Sequence, residues 1–521
     1  MMRKTGLLLF LLAVLRTAIA LPPPLEARAV ASPSIWPSQS YVTEDFTAPN
    51  LTITRSGYTS PGYLFLTPSG SGTTSQAPIL ISDSNELIWS GPSGGWVYNG
   101  FRVQAIHNKP YLTYWSGNSS ATFGHGYGSV HILNSSYQEV YNVCPSAQEL
   151  DLVTPDQLSY ACYLDMHEEF VTNQGTLLAT AYNVTQADLT PVGGPKNGWI
   201  FNSLFFEIDI PTGKVLFRWR SLDHLPKIPL NESRYPLTID NVTYGTSKYL
   251  PWDYFHINSV QALPDGYLVN SRHLFSTYKV SKNGSIDWHL SGSQTIPSDF
   301  SLPPSVYFSW QHDPRIANVT NSSLTITYFN NDNSEVQNGT NSTTGLALSL
   351  DLEKRSVTLL RKLIAPSEPI FADSQGSYQP LPDGHVLLGY GQIAKTREFN
   401  ASGNLVYEVQ YGYSTAESPV ASYRSYRQSW EGQPAAAPKL AARCFGPTTK
   451  VYLSWNGATT YDGWTIFAGN SVANLTAVAS VAKSGFETEY DLRAEWSYVS
   501  AEAKQGGQSL RNTSIVSTTI C

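Results

Sequence analysis

Histidine is the side chain whose charge changes closest to neutral pH, and three histidines stand at comparable places in this chain. His167 in "DMHEEFVTNQGTLLATAYN", His256 in "DYFHINSVQALPDGYLVNSRH" and His312 in "FSWQHDPRIANVTNSSLTITYF" each precede an apolar run and a polar turn. Imidazole serves as nucleophile, base or acid according to which ring nitrogen holds the proton. His125 in "GHGYG" adds a fourth from earlier in the chain. Groups suited to an anion and an aromatic ring stand nearby. Arg272 in "NSRH" and Arg315 in "HDPR" can grip an oxyanion through paired N–H groups. Asn258 can donate to one of its oxygens, and Tyr254, Trp310 and Tyr378 can wall a ring. The catalytic set expected is therefore His256, His312, Arg315 and Arg272, with His256 and His312 facing each other. Asn258, His167, His125, Tyr254, Trp310 and Tyr378 are expected to shape the substrate pocket.

Such residues converge only if the strands that carry them do. A turn followed by an alternating strand with an aromatic or long apolar residue returns at 84–91, 134–143, 212–220, 283–292, 353–362 and 402–412. Companion strands lie between these, at 175–183, 264–273, 322–332 and 382–391. Repeats of this kind predict an all-β fold, a six-bladed β-propeller whose innermost strands border a central channel. Histidines at the starts of those strands would meet at one mouth of it. "GQPAAAPKLAARC" then reads as a linker, and the short alternating strands beyond it predict a small fibronectin-III-like β-sandwich. The expected division is a signal peptide over 1–20, an N-terminal extension over 21–60, the propeller over 61–435 and the sandwich over 436–521.

The segments "DYFHINSVQALPDGYLVNSRH", "FSWQHDPRI" and "GSYQPLPDGHVLLGYGQIAKTREFNASGNLVYE" resemble the arylsulfotransferase family, in its fungal secreted branch. The resemblance covers most of residues 60–435. It implies a six-bladed propeller with its site in the channel. It also implies transfer of a sulfuryl group from an aryl sulfate ester to a phenolic acceptor through a sulfo-histidine, with no nucleotide donor. By motif, His256 in "HINS" and His312 in "QHD" match two of the family's active-site histidines. The bacterial members take their nucleophile from a histidine in the following blade. The corresponding stretch here, "ADSQGSYQPLPDG", carries Ser374, Gln375, Ser377 and Tyr378, and His385 lies past the turn.

Composition narrows the partners. A net charge of −7 without a basic cluster argues against nucleic acid. Arg3 and Lys4 before "GLLLFLLAVL", with "AIA" at 18–20, read as a cleaved signal, and no later run is long enough to span a bilayer. The protein is thus expected to be secreted, without stable membrane insertion once the signal is removed. Sequons at Asn50, Asn118, Asn134, Asn183, Asn231, Asn241, Asn283, Asn318, Asn321, Asn338, Asn341, Asn400, Asn474 and Asn512 suit a glycoprotein. The four cysteines are expected to pair locally as Cys144–Cys162 and Cys444–Cys521, and the absence of a C-x-x-C spacing argues against zinc. No phosphate-binding loop or zinc-protease motif is present, so no cofactor or metal is expected. Two other readings suit the same residues: acid–base dehydration or cyclisation of an aromatic natural product, and a secreted binding propeller without turnover.

Overall fold

The computed structural model describes residues 34–120, 123–156, 158–337 and 341–518. The signal sequence, Asn338 and Cys521 lie outside the described residues, and so does the expected Cys444–Cys521 pairing. Nearly all regular structure is β. Six antiparallel sheets account for most of the strands between residues 52 and 428. Five follow chain order, one strand beside the next: 97–143, 169–220, 257–291, 312–363 and 377–410. The sixth takes Tyr426–Gln428 as its first strand, followed by Tyr63–Leu66, Ile79–Ile81 and Leu87–Ser90. Thr52–Arg55, expected in the extension, is instead a fifth strand beside Leu405–Gln410.

Burial along each sheet follows strand position. Second and third strands are the more buried, as in Gly266–Ser271, where every residue is buried, though Lys395–Phe399 also buries Arg397 and Glu398. Fourth strands, such as Val215–Arg220 and Ser356–Leu363, expose one face and alternate. The six recurring sequence segments all fall on these fourth strands. First strands touch one another. Val97–Ile106 meets Glu169–Val171, Ile257–Leu263 meets His312–Val319, and His312–Val319 meets Ser377–Pro380. Tyr426–Gln428 then touches both Ser377–Pro380 and Val97–Ile106.

Apolar clusters fill the space between neighbouring sheets. Leu178 and Phe205 pack with Val260 and Tyr267, while Leu268 and Leu290 pack with Ile326 and Leu348. Phe65 and Leu80 pack with Phe101 and Leu112. Cys144 and Cys162 are disulfide-bonded with their Cα atoms 4.8 Å apart, which agrees with the local pairing expected.

Beyond residue 438, two further sheets of three and five strands enclose Val451, Leu453, Trp464, Ile466 and Val499. They are tied back to the rest of the fold. Asn456 exchanges two 2.9 Å hydrogen bonds with the Ser90 backbone, and the Gly457 N–H donates to the Ile88 carbonyl. Among the described sequon asparagines none is buried. No helix among the described residues is long and apolar enough to cross a membrane.

Candidate active site

The starts of the first strands border a cavity of about 440 Å³. His167, His256, His273 and His312 line it, together with Arg272 and Tyr423. Phe123, Met166, Tyr235 and Tyr244 supply apolar wall, and Ser374, Gln375 and Gln392 supply a polar one.

His256 directly precedes Ile257–Leu263 and sits in left-handed backbone, φ 51°. A non-glycine residue adopts that region only where its surroundings hold it there. Here the Arg272 N–H donates to the His256 carbonyl at 3.0 Å, and the Asp253 side chain receives the imidazole. Nδ1–H donates to Asp253 Oδ2 at 2.5 Å, leaving Nε2 as the lone-pair nitrogen, with no partner among the described residues. Burial pushes the His256 pKa down to about 4, against the opposing pull of Asp253. The ring is therefore neutral at pH 7. The carboxylate stays ionised, because His256 and His125 hold the Asp253 pKa well below its usual range although burial alone would raise it.

His167 is built the same way. Its Nδ1 bonds Asp165 Oδ2 at 2.6 Å, and the Asp165 carboxylate is fixed by the Gly126 N–H and the Thr180 hydroxyl. Burial alone would raise the Asp165 pKa, but the adjacent His167 brings it to about 2. The Nε2 atom of His167 has no partner among the described residues, and its ring centroid lies 4.8 Å from that of His256.

His312 differs. Nδ1–H donates to Asn331 Oδ1 at 2.8 Å, and Nε2 accepts the Gln375 N–H at 3.1 Å. Both nitrogens are occupied, and burial drives the pKa well below the ordinary value. The ring lies on the same cavity as His256, but its nearest aromatic contact there is Tyr423, at 6.2 Å. His256 thus faces His167 rather than His312. His125 donates from Nε2 to the same Asp253 oxygen at 3.0 Å and stacks on Tyr182 with centroids 3.6 Å apart.

Arg272 reaches the cavity over the face of Trp310, 5.1 Å from the ring centroid. Other expected residues do not reach it. Arg315 turns instead to Glu168 and Asp313, each at 2.8 Å. The strand bulges between His312 and Arg315, so simple alternation fails there. Asn258 donates to the Gln311 carbonyl and accepts from Asn270 inside the sheets. Tyr254 lies in the core with Phe255 and Trp252. Tyr378 packs with Phe329 and Leu388, its backbone N–H donates to Asp313, and its side chain is engaged by Arg361. Trp310 is buried beneath Arg272 and donates to Gln337.

Just below the histidines, the next residues of the same strands form a closed ionic network. Glu168 accepts from Arg315, Arg424, Arg102 and the Val260 N–H, at 2.8, 3.0, 3.4 and 3.0 Å. Arg424 also reaches the Asn258 carbonyl at 2.9 Å, and Arg102 the Tyr426 hydroxyl at 2.8 Å. Gly100, at φ 67°, is required here, since a Cβ would lie 1.9 Å from Glu169 Oε1.

Residues 102–412 match the family model described as Arylsulfotransferase (ASST). The chain belongs to the arylsulfotransferase family. Membership implies an aromatic substrate, as do the ring-lined walls of the cavity. Among curated proteins, none matches the chain. Solved structures with propeller-like folds show only distant likeness. A protein of unknown function from Bacteroides caccae is 12% identical and covers 70% of this chain and 98% of its own, with a TM-score of 0.38. The Dos1 propeller is 8% identical over 68% of this chain and 64% of its own, with a TM-score of 0.29. The GH43 protein BlXynB from Bacillus licheniformis is 8% identical over 80% and 89%, with a TM-score of 0.28.

Sequence reasoning missed five groups at this candidate site: Asp165, Asp253, His273, Glu335 and Tyr423. The signal for two of them was present, since "DMH" and "DYFH" place an aspartate two or three residues before the histidine it orients. His312 has no such aspartate before it.

Proposed function

We propose that this family member is a secreted enzyme that moves a sulfuryl group from an aryl sulfate ester to a phenolic acceptor, with His256 Nε2 as the carrier. One observation supports this above all: a neutral imidazole whose Nδ1–H is fixed on a buried carboxylate and whose Nε2 has no partner at the cavity. In the first half-reaction the Nε2 lone pair forms an N–S bond and the S–O bond to the aryl group breaks. That electron pair leaves on the aryl oxygen, which takes a proton from His167 Nε2–H. The sulfo-imidazole keeps its Nδ1 proton, so its ring is cationic and faces the Asp253 carboxylate. In the second half the acceptor phenol gives its proton to His167, and its oxygen takes the sulfur from His256. For this exchange His167 enters the first half-reaction as the imidazolium, with Nδ1–H on Asp165 and Nε2–H toward the aryl oxygen, and regains that form in the second. The mutual contact of the first strands supports reading the six sheets as a six-bladed propeller around this site. The C-terminal pair of sheets fits the fibronectin-III-like sandwich, and the exposed sequons fit a glycoprotein of the fungal secreted branch.

Mixing the protein with phenyl sulfate and digesting it tests the reading. A sulfuryl adduct on His256, with ping-pong kinetics, is expected; phenol release without a protein adduct would exclude the carrier role.

A second reading is favoured by a different observation. The cavity lining carries Asp240, Asp253, Glu335 and Asp373 against Arg272, and the stretch that holds the bacterial nucleophile presents Ser374 and Gln375. A proton-transfer enzyme, with His256 as base and His167 as acid on an uncharged aromatic substrate, needs neither cations nor a further histidine. Turnover of a sulfate-free aromatic substrate without sulfuryl chemistry would select it.

A further inference from the structure

The Arg272 guanidinium is held in place on three sides. Nη1 donates to His273 Nε2 and Nη2 to the Asp373 carbonyl, both at 3.0 Å, and the plane lies on Trp310. His273 is fixed in turn, its Nδ1–H donating to the Asp253 carbonyl at 2.6 Å, and burial keeps it neutral. The remaining direction faces Glu335, whose carboxylate takes Nη1 at 3.3 Å and Nη2 at 2.8 Å, a two-point grip. The two partners differ in how they are held. The Arg272 side chain is 5% exposed, while that of Glu335 is 51% exposed and bonds to Arg272 alone among the described side chains.

We propose that Glu335 is an internal stand-in for the anionic group of the substrate, and that an aryl sulfate binds by replacing the Glu335 carboxylate on Arg272. The inference rests on the sulfuryl-transfer reading for the identity of the anion. A sulfate offers the same kind of paired oxygens to the fork, and Arg272 keeps its other contacts when Glu335 leaves. The exchange also answers the charge of the lining. Among the described residues Arg272 is the one arginine or lysine of the cavity wall, and with Glu335 in place it shows little net charge to an incoming anion. An uncharged phenol has no such competitor, so Glu335 sets the balance between sulfated and free phenols in one cavity.

Equilibrium titration with benzenesulfonate, an aryl anion with no transferable group, tests this beside phenol. Glu335→Gln keeps the shape and removes the charge. It is expected to bind benzenesulfonate about threefold to fivefold more tightly than the wild type, in the range of one partly exposed ion pair, with phenol affinity unchanged. Arg272→Gln is expected to lose benzenesulfonate binding and keep phenol. Benzenesulfonate affinity that is unchanged or weaker in Glu335→Gln overturns the inference and leaves Glu335 as a group that orients Arg272. Should Glu335→Gln not fold, Glu335→Asp, whose shorter arm strains the two-point grip, is expected to bind the anion more tightly, and no gain there overturns the inference as well. Tighter benzenesulfonate binding without any His256 adduct from phenyl sulfate would uphold the exchange and remove the sulfuryl-transfer reading. A His256 adduct with no gain in the variant would do the reverse.

Discussion

The histidine layer and the ionic layer beneath it are made from consecutive residues of the same strands, yet they are opposite in character. His167 and Glu168 are neighbours in the chain. One keeps an unpartnered nitrogen at a cavity, and the other has its carboxylate filled by three arginines and a backbone N–H. The upper layer turns open nitrogens to the cavity, and the lower one turns its charges on one another, although Arg102 Nε and Arg424 Nε make no hydrogen bond there. A buried network of paired charges fixes geometry, whereas an unfilled donor or acceptor beside a cavity is available to a ligand. The lower layer thus holds the strand starts in register so that the upper one stays poised.

The largest effect expected from breaking this contrast is on the lower layer. Glu168→Ala leaves Arg102, Arg315 and Arg424 short of their shared anion in a buried place, a loss of about 3–5 kcal/mol of stability. Denaturant unfolding measures it, and an unaltered midpoint would mean that the network does not brace the strands. In the upper layer, His256→Gln is expected to lower kcat/KM by about 10³-fold with the unfolding midpoint nearly unchanged. Asp253→Asn comes next, at about 10²-fold, because an amide can no longer fix the Nδ1–H tautomer or face a cationic sulfo-imidazole. His312→Gln should cost about tenfold or less, since both of its nitrogens serve Asn331 and the Gln375 backbone. A loss as large as that of His256→Gln would restore His312 to the chemistry.

The acid limb of activity sharpens the same contrast. His256 has its folded pKa lowered to about 4, so its free-base form persists as pH falls through 6.5, where an ordinary histidine would be half protonated. The limb from this group should lie near pH 4 in kcat/KM. Stability runs with it. The unfolded chain binds this proton below about pH 6.5 and the folded one only near 4, so the His256 contribution to stability is intact above 6.5 and declines between the two.

Much of the architecture was legible because one strand in four is half exposed. Fourth strands such as Ser356–Leu363 alternate, and alternation is what a sequence shows plainly. The first strands carry the chemistry and were harder to read, since their polar residues answer to two layers rather than to solvent. His256 and His167 were found by their recurrence at comparable positions, and Arg272 by its closeness in sequence to His256. Arg315 was assigned to the cavity by sequence proximity, but a bulge and the left-handed Asp313 send it to Glu168. Glu335 lay beyond reach because it comes from a loop 63 residues from its partner Arg272.

The pairing of Phe65 with Tyr426 has a consequence for the order of events during synthesis. Residues 63–90 leave the ribosome early, but the strand that completes their sheet is among the last to emerge from that part of the chain. Until then Tyr63–Leu66 presents an unpaired edge, a hazard for misassociation that a nascent chain must survive. The arginine and tyrosine that seal the ionic layer, Arg424 and Tyr426, arrive with the same late segment. Maturation of the catalytic cavity is therefore tied to the end of translation of this region, and a chain interrupted before residue 424 would lack both its latch and its floor.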